Sequence, residues 1–404
     1  MVDKHILLIS DGRSPTSKRW IDALHKLKFK ISLVSTYPLT IEHDVDQTFI
    51  LPVAFSNAGK EQTPNNGNIK GQPKKSLTKQ LIQQFRPIFM LARYNLGPST
   101  IPKYGNILKM IIAEIQPDIV HALRIPFEGM LSRYTPADIP LLVSIWGNDF
   151  TLHANANKKM RELTKEVVQR ADGIIADTFR DINLAHQWGF EPQKPTLVVP
   201  GGGGISLGEI EQARFEKFFP EDQMQNAPII VNPRGIRAYA QSDIFFQAIP
   251  LVLRRFPNAK FFCPAMSGKI EAERWVHRLG LKKSVTLLPE LSQKQLWSLF
   301  HQSDISVSLT THDGTPNTLL EAMACGCVPI AGDIDSLREW ITPGVNGFLV
   351  EINKPNALAN AIIDVILNPS FKSRVSIENF ERIKSRAEIS NVLDRLNDFY
   401  LQFL

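Results

Sequence analysis

Short apolar runs of four to seven residues recur along the chain, each closed by turn-forming residues and followed by a longer amphipathic stretch. HILLIS (5–10) precedes SKRWIDALHKLK (17–28), whose apolar residues repeat at helical spacing, and then come ISLVST (31–36) and TFILPVA (48–54). PDIVHA (117–122), IPLLVSI (139–145), GIIADT (173–178) and TLVVP (196–200) continue the series. A strand with one wet face alternates apolar and polar residues. Runs this continuous predict strands covered on both faces, as in a parallel sheet. Their alternation with helix-like segments predicts a doubly wound α/β domain.

The rhythm breaks at PGGGG (200–204), which reads as a joint, and 205–227 reads as polar and irregular. It resumes at 229 with IIVNP, then KFFCPA (260–265), VTLLP (285–289), DISVSLT (304–310), CVPIAG (327–332) and GFLV (347–350). The helix-like segments DIFFQAIPLVLRRF (243–256) and QKQLWSLFHQ (293–302) lie among them. Two doubly wound domains in series are expected, 1–204 and 228–387, with 205–227 as linker. The final stretch, about 388–404, repeats apolar residues at helical spacing and either ends the second domain or packs back on the first.

Composition agrees with this picture and narrows it. A chain of 404 residues suits two domains of roughly 200 each. With 43% hydrophobic and 21% charged residues it reads as globular, and no apolar run approaches the ~18 residues of a membrane helix. The N-terminus turns polar after the short apolar run at 6–9, too short for a signal-peptide core, so a cytoplasmic location is expected. Cys263, Cys325 and Cys327 form no disulfide framework or zinc spacing and are expected as buried, reduced thiols. The net charge of +6 is concentrated. Residues 55–109 carry nine lysines and arginines (Lys60, Lys70, Lys74, Lys75, Lys79, Arg86, Arg93, Lys103, Lys109) against one acid, Glu61. Such a segment is either a solvated loop or a surface for an anionic partner. Within it, 55–76 is low in complexity and reads as a mobile loop.

Candidate chemistry centres on DGTPNTLLEAMACGC (313–327). Thr315 can cap a helix whose first position, Pro316, has no N–H to lose. The N–H groups of Asn317, Thr318 and Leu319 would then leave the helix start free to hold a diphosphate. Glu321 shares a helix face with Asn317. A carboxylate placed below a diphosphate makes sense if it reaches past the phosphates to neutral hydroxyls such as those of a ribose. Asp313 precedes the helix, where it can meet hydroxyls of whatever the diphosphate carries. Gly314 permits close backbone approach, and Gly326 fits the position that ends the helix.

The segment from Asp313 to Val350, with its carboxylate, seven residues and then a glutamate, resembles the donor-site signature of family-4 retaining glycosyltransferases of group 1. PDIVHA, SIWGNDF, RADGIIADT and VVPGGGGI fall in the order of that family, and the likeness is weakest from 50 to 110. The resemblance implies the GT-B fold, two Rossmann-like domains facing a central cleft, and a nucleoside-diphosphate sugar as donor. It implies that Glu321 binds the ribose and Asp313 the donor sugar, although the family usually has glutamate where Asp313 stands. An arginine and a lysine five positions apart neutralise the diphosphate in that family. Arg234 fits the first, the second is Tyr239, and Arg237 between them is the candidate to restore the charge. Gly12 and Arg13, in the turn after the first strand, are candidates near phosphate and sugar. His121 and Asp149, at the ends of the fourth and fifth strands, are candidates to orient sugar or acceptor. Asp333-Ile334-Asp335 resembles the D-x-D of a different fold and stands away from the diphosphate, so no metal is expected, and no cofactor.

These readings lead to a retaining, metal-independent transferase with Asp313, Arg234, His121 and Asp149 as catalytic candidates. Its acceptor would be a glycan or lipid-linked molecule in cell-surface polysaccharide or glycolipid synthesis, reached through an anionic membrane surface by residues 55–109. The departures at Tyr239 and Asp313 keep open a GT-B-like scaffold that has lost catalysis, and another GT-B enzyme, such as a sugar-nucleotide epimerase, is a second alternative. Nucleic-acid binding lacks a recognisable module.

Overall fold

The computed structural model describes residues 4–39, 43–56, 86–216, 218, 227–237 and 239–404. Most of the basic, low-complexity stretch, including Lys60 to Lys79, lies outside them. The chain divides into two compact units. The first comprises Met1–Ile175, Ile182–Leu197 and Asn397–Leu404, and the second Ala176–Asp181 and Val198–Leu396.

In the first unit, strands β1 (His5–Ser10), β2 (Lys30–Ser35), β3 (Gln47–Ile50), β4 (Ile119–Ala122), β5 (Leu141–Ile145), β6 (Gly173–Ala176) and β7 (Thr196–Val198) form one sheet. Their order is β3-β2-β1-β4-β5-β6-β7. β1 runs parallel to both β2 and β4. All six residues of β1 and all four of β4 are buried, as continuous apolar runs require. β3 differs, because it is the edge strand and its Gln47, Thr48 and Ile50 are exposed. The helix Pro15–Lys26 begins two residues before its expected start, because Ser14 caps it by accepting from Thr16 N and Pro15 fits the first turn.

The second unit repeats the plan with β8 (Ile229–Val231), β9 (Lys260–Cys263), β10 (Val285–Leu287), β11 (Ile305–Ser308), β12 (Val328–Gly332) and β13 (Phe348–Val350), ordered β10-β9-β8-β11-β12-β13. Its strands serve two cores at once. Ile230, Phe261 and Cys263 pack in one cluster with Phe245, Val307 and Ile362. Their neighbours Ile229, Val231 and Phe262 pack in the other with Leu319, Leu320 and Trp340. This alternation is the period of two expected of a sheet covered on both faces.

The expected linker is not irregular throughout. Leu207–Ala213 is a helix whose Leu207, Ile210 and Ala213 are buried, and they join the cluster that holds Leu319 and Leu320. The last stretch is the helix Ile389–Leu401. All three cysteines are buried and free, and burial pushes their thiols up, away from reactive thiolate. Among the described residues no helix is long and apolar enough to cross a membrane.

In both sheets the strand order reverses direction beside the first strand, between β1 and β4 and between β8 and β11. Ligands of doubly wound sheets bind outside the carboxyl ends of the strands at such a point.

Candidate active site

The switch point of the second unit brings Arg234 and Asp313 together. Arg234 follows β8 and Asp313 follows β11. The Arg234 guanidinium, 8% exposed, donates through Nη2 to Asp313 Oδ2 and through Nη1 to Thr318 Oγ1 at 3.4 Å. Asp313 Oδ1 accepts from Gly314 N at 3.1 Å, and its carbonyl accepts from Ser336 Oγ at 2.8 Å. The acid is thus fixed in direction yet stays partly open, with 20% of its side chain exposed. Glu321 is 3% exposed, and Gln293 Nε2 donates to its Oε1 at 2.9 Å. A buried carboxylate needs such partners, and Gln293, from the next helix toward the N-terminus, was not singled out by sequence reasoning.

The helix start departs from expectation. Pro316, not Thr315, occupies the cap position of the helix Asn317–Ala324, and no side chain caps it. The Thr315 hydroxyl donates instead to the Asp177 carbonyl at 2.7 Å and accepts from Trp340 Nε1 at 2.9 Å. Leu319 N donates to Pro316 O at 2.9 Å, so its amide is not available to an anion. Among the described residues, the amides of Asn317 and Thr318 have no protein acceptor. At its far end the helix stops as expected, with Gly326 at φ +90°.

The loop that carries Asp313 is gripped by Asp177, which no sequence motif pointed to. Asp177 is half-buried, and its Oδ2 accepts from Thr315 N at 2.9 Å. Burial, reinforced by the charge of Asp181, raises its pKa well above the ordinary carboxylate range. A Cβ on Gly314 would lie 2.3 Å from Asp177 Oδ2, so the glycine serves this contact. Arg237 Nη1 donates to Tyr239 Oη at 2.9 Å, and Tyr239 O accepts from Thr311 N at 2.9 Å, which ties the pair to the end of β11. Asp333 and Asp335 both pair with Arg338, at 2.7 and 3.1 Å.

In the first unit the catalytic candidates do not stand free. His121 is fully buried, with Nδ1 2.7 Å from Tyr400 Oη and Nε2 2.9 Å from Ser144 Oγ. Burial lowers its pKa to about 3. The expectation that it orients sugar or acceptor is corrected, since both ring nitrogens are engaged inside the core. Asp149 is corrected as well. It is fully buried, pairs with Arg124 at 2.8 Å, and accepts from Ile125 N at 3.0 Å and Trp146 N at 3.1 Å. It therefore organises two loops. Gly12 is packed against Ser35 and Leu39 and donates to Ser35 Oγ at 3.2 Å. Arg13 pairs with Asp11 at 2.9 Å and stacks 3.6 Å above the Tyr37 ring.

What the first unit does hold at its own switch point is a cavity of about 130 Å³. Its wall includes Ser10 at the end of β1, Arg124 after β4, Trp146 after β5, Arg93 and Tyr37. None of Gly12, Arg13, His121 or Asp149 lines it. HALR and ARY in the sequence hold the two arginines, but nothing local marks them as converging.

Comparison with known proteins assigns the chain to a family. Residues 213–383 match the family model for glycosyl transferases group 1, and residues 99–178 match glycosyl transferase 4-like. A D-inositol 3-phosphate glycosyltransferase of Geodermatophilus obscurus is 27% identical over 217 residues, 50% of this chain and 47% of that protein. The chain spans about half the length of the curated relatives it matches. Among solved structures, sucrose-phosphate synthase from Thermosynechococcus elongatus superposes with a TM-score of 0.72 at 17% identity, covering 99% of this chain and 98% of that one. Anabaena Alr3699/HepE in complex with UDP and glucose gives 0.70 at 15% identity, covering 100% of both. The chain belongs to the group 1 glycosyltransferases, and its fold is GT-B.

Proposed function

We propose that the chain is a retaining glycosyltransferase that moves a sugar from a nucleoside-diphosphate sugar to an acceptor without a metal ion. The observation that carries this reading is the Arg234 guanidinium spanning Asp313 and Thr318 at the end of β8 and β11. It puts a phosphate-binding cation, a carboxylate suited to sugar hydroxyls and the start of a helix within one side chain's reach. A structure similar to this chain is described as a complex with UDP-glucose, which supports a nucleotide sugar as donor.

In this reading Arg234 and the amides of Asn317 and Thr318 hold the diphosphate, Glu321 binds the ribose, and Asp313 meets the sugar. Arg237, resting on Tyr239, supplies the charge that a lysine would otherwise provide. Breaking the anomeric C–O bond leaves negative charge on the departing diphosphate, and fixed donors stabilise that charge more as it grows. The acceptor attacks from the same face and gives its proton to the leaving phosphate, so no protein nucleophile is needed. Calorimetry with UDP is the direct test. Glu321→Gln, which keeps the volume, is expected to weaken UDP binding roughly tenfold, in line with a lost hydrogen bond to a charged group. Wild-type protein that binds neither UDP nor any of a panel of nucleotides and nucleotide sugars would instead favour a scaffold.

The reading extends to an acceptor at the cytoplasmic face of a membrane, in cell-surface polysaccharide or glycolipid synthesis. Lys103, Ile107 and Met110 share one exposed face of the helix Ile101–Ile115, and Met110 is 71% exposed. Leu91 and Leu96 are exposed on the helix Arg86–Leu96. Apolar side chains among lysines suit an anionic interface, where each basic residue contributes about 1 kcal/mol. The protein is expected to sediment with anionic vesicles in low salt and to be released in high salt. Failure to sediment in low salt would remove the membrane from the reading.

A further inference from the structure

We propose that the cavity of the first unit seats the acceptor through a phosphate group held by Arg93. This rests on the glycosyltransferase reading and names the class of acceptor it takes.

Around the cavity most charges are paired off or buried as neutral groups. Arg124 is already neutralised by Asp149 at 2.8 Å, and Asp11 by Arg13 at 2.9 Å. Glu128 is buried and accepts from Thr36 Oγ1 at 2.9 Å. Burial raises its pKa against the pull of Arg124 and, more weakly, of Arg93, which favours the neutral acid. Arg93 is left over. Among the described residues no carboxylate comes within ion-pairing distance of it. Its guanidinium lies 4.4 Å from the Phe127 ring centroid and 5.1 Å from that of Tyr37. Ring faces attract a cation without neutralising it.

Unmet hydrogen bonds point the same way. Ser10 is 1% exposed, and its Oγ has no partner. The Nε atoms of Arg93 and Arg124 are buried and unpartnered as well. These three groups come from the end of β1, the helix Arg86–Leu96 and the loop after β4, and all three can donate. A phosphate monoester offers three strong acceptor oxygens and carries the charge that Arg93 lacks. An uncharged polyol would leave the guanidinium without a counter-charge, at a cost. The wall between the two arginines is itself held in an unusual conformation. Phe127 adopts φ +67° and ψ −51°, a region that side-chain-bearing residues rarely occupy and that concentrates at ligand sites. A cavity of about 130 Å³ is many times the roughly 10–15 Å³ that one water needs.

The experiment is calorimetry of the full chain with glucose 6-phosphate, glycerophosphoinositol and glucose, with UDP titrated in parallel. The phosphorylated probes are expected to bind and glucose to bind at least tenfold more weakly. Arg93→Gln should weaken the phosphorylated probes tenfold or more and leave UDP affinity unchanged, and Ser10→Ala should give a smaller loss. Preference for the monoester identifies a soluble sugar phosphate as the source, and preference for the diester a lipid headgroup. Either supports the proposal. Glucose binding as tightly as glucose 6-phosphate, phosphorylated probes that bind Arg93→Gln as well as wild type, or UDP binding without any phosphorylated probe would overturn it. Phosphate binding without UDP binding would sink the donor assignment and leave the anion site standing.

Discussion

Arg234→Ala is expected to lower kcat/KM for sugar transfer by about 10²–10³, or ~3–4 kcal/mol of transition-state stabilisation. The guanidinium has two tasks in this site. It steers Asp313, and in the proposed mechanism it also faces the charge that develops on the leaving group. Asp313→Ala separates them, because it frees the arginine from its ion pair while removing the contact to the sugar. Asp313→Ala should therefore keep UDP affinity and lose transfer, whereas Arg234→Ala should lose both. Arg234→Lys should recover only part, since an ammonium cannot reach Asp313 and Thr318 as a fork. If Arg234→Ala transfers sugar at the wild-type rate, the diphosphate is held elsewhere.

Acid is expected to unfold the first unit well before it protonates ordinary carboxylates. Burial lowers the pKa of His121 to about 3 and that of His153 to about 4. In the unfolded chain both would titrate near 6.5. Between those limits the unfolded state binds protons that the folded state refuses, so stability is full above about 6.5 and falls as pH drops toward the folded pKa values. Each histidine contributes a slope of up to about 1.4 kcal/mol per pH unit, or roughly 2 kcal/mol by pH 5. Glu128, whose pKa burial raises, gains stability as pH falls and offsets part of this loss, and His5, lowered by burial, adds to it, whereas Asp118, lowered by the amide of His5 and by Lys4 against the effect of burial, acts only below its ordinary range. Urea midpoints at pH 7 and pH 5 measure the loss, and His121→Gln should remove about half of it. An NMR titration in which the His121 ring protonates near pH 6.5 would refute the account.

The sheets were legible because burial on both faces leaves a mark in sequence. Every apolar run picked out, from HILLIS to GFLV, contains a strand. TFILPVA carried the same mark and became an edge strand, since apolar content alone does not say which strand has only one neighbour. Leu207, Ile210 and Ala213 were missed in a polar stretch, although their spacing of three is a helical one. The donor loop was legible because its chemistry is local. Asp313, Thr318 and Glu321 lie within one turn-and-helix, and Arg234 came from the family pattern. What stayed hidden depends on distant pairs. His121 looked like a cleft residue because it ends a strand, and only Tyr400, far along the chain, shows that it faces inward. Asp149 is engaged by Arg124, and Asp177 gains its grip on Thr315 from well over a hundred residues away. A convergence of that kind leaves no spacing to read.

The partnership of His121 with Tyr400 bears on how this protein is made. Gly173 has no side chain because Phe403 and Phe399 occupy the space beside it, and Tyr400 is fully buried against the same sheet. Most of the first unit precedes the second along the chain, yet part of its core follows it. A ribosome that has finished β1 to β7 has yet to make the residues that close them. The N-terminal sheet must therefore wait, with an apolar flank uncovered, until translation has passed through the whole of the second unit. Domain-by-domain folding in order of synthesis leaves the first unit without this part of its core until Tyr400 has been made.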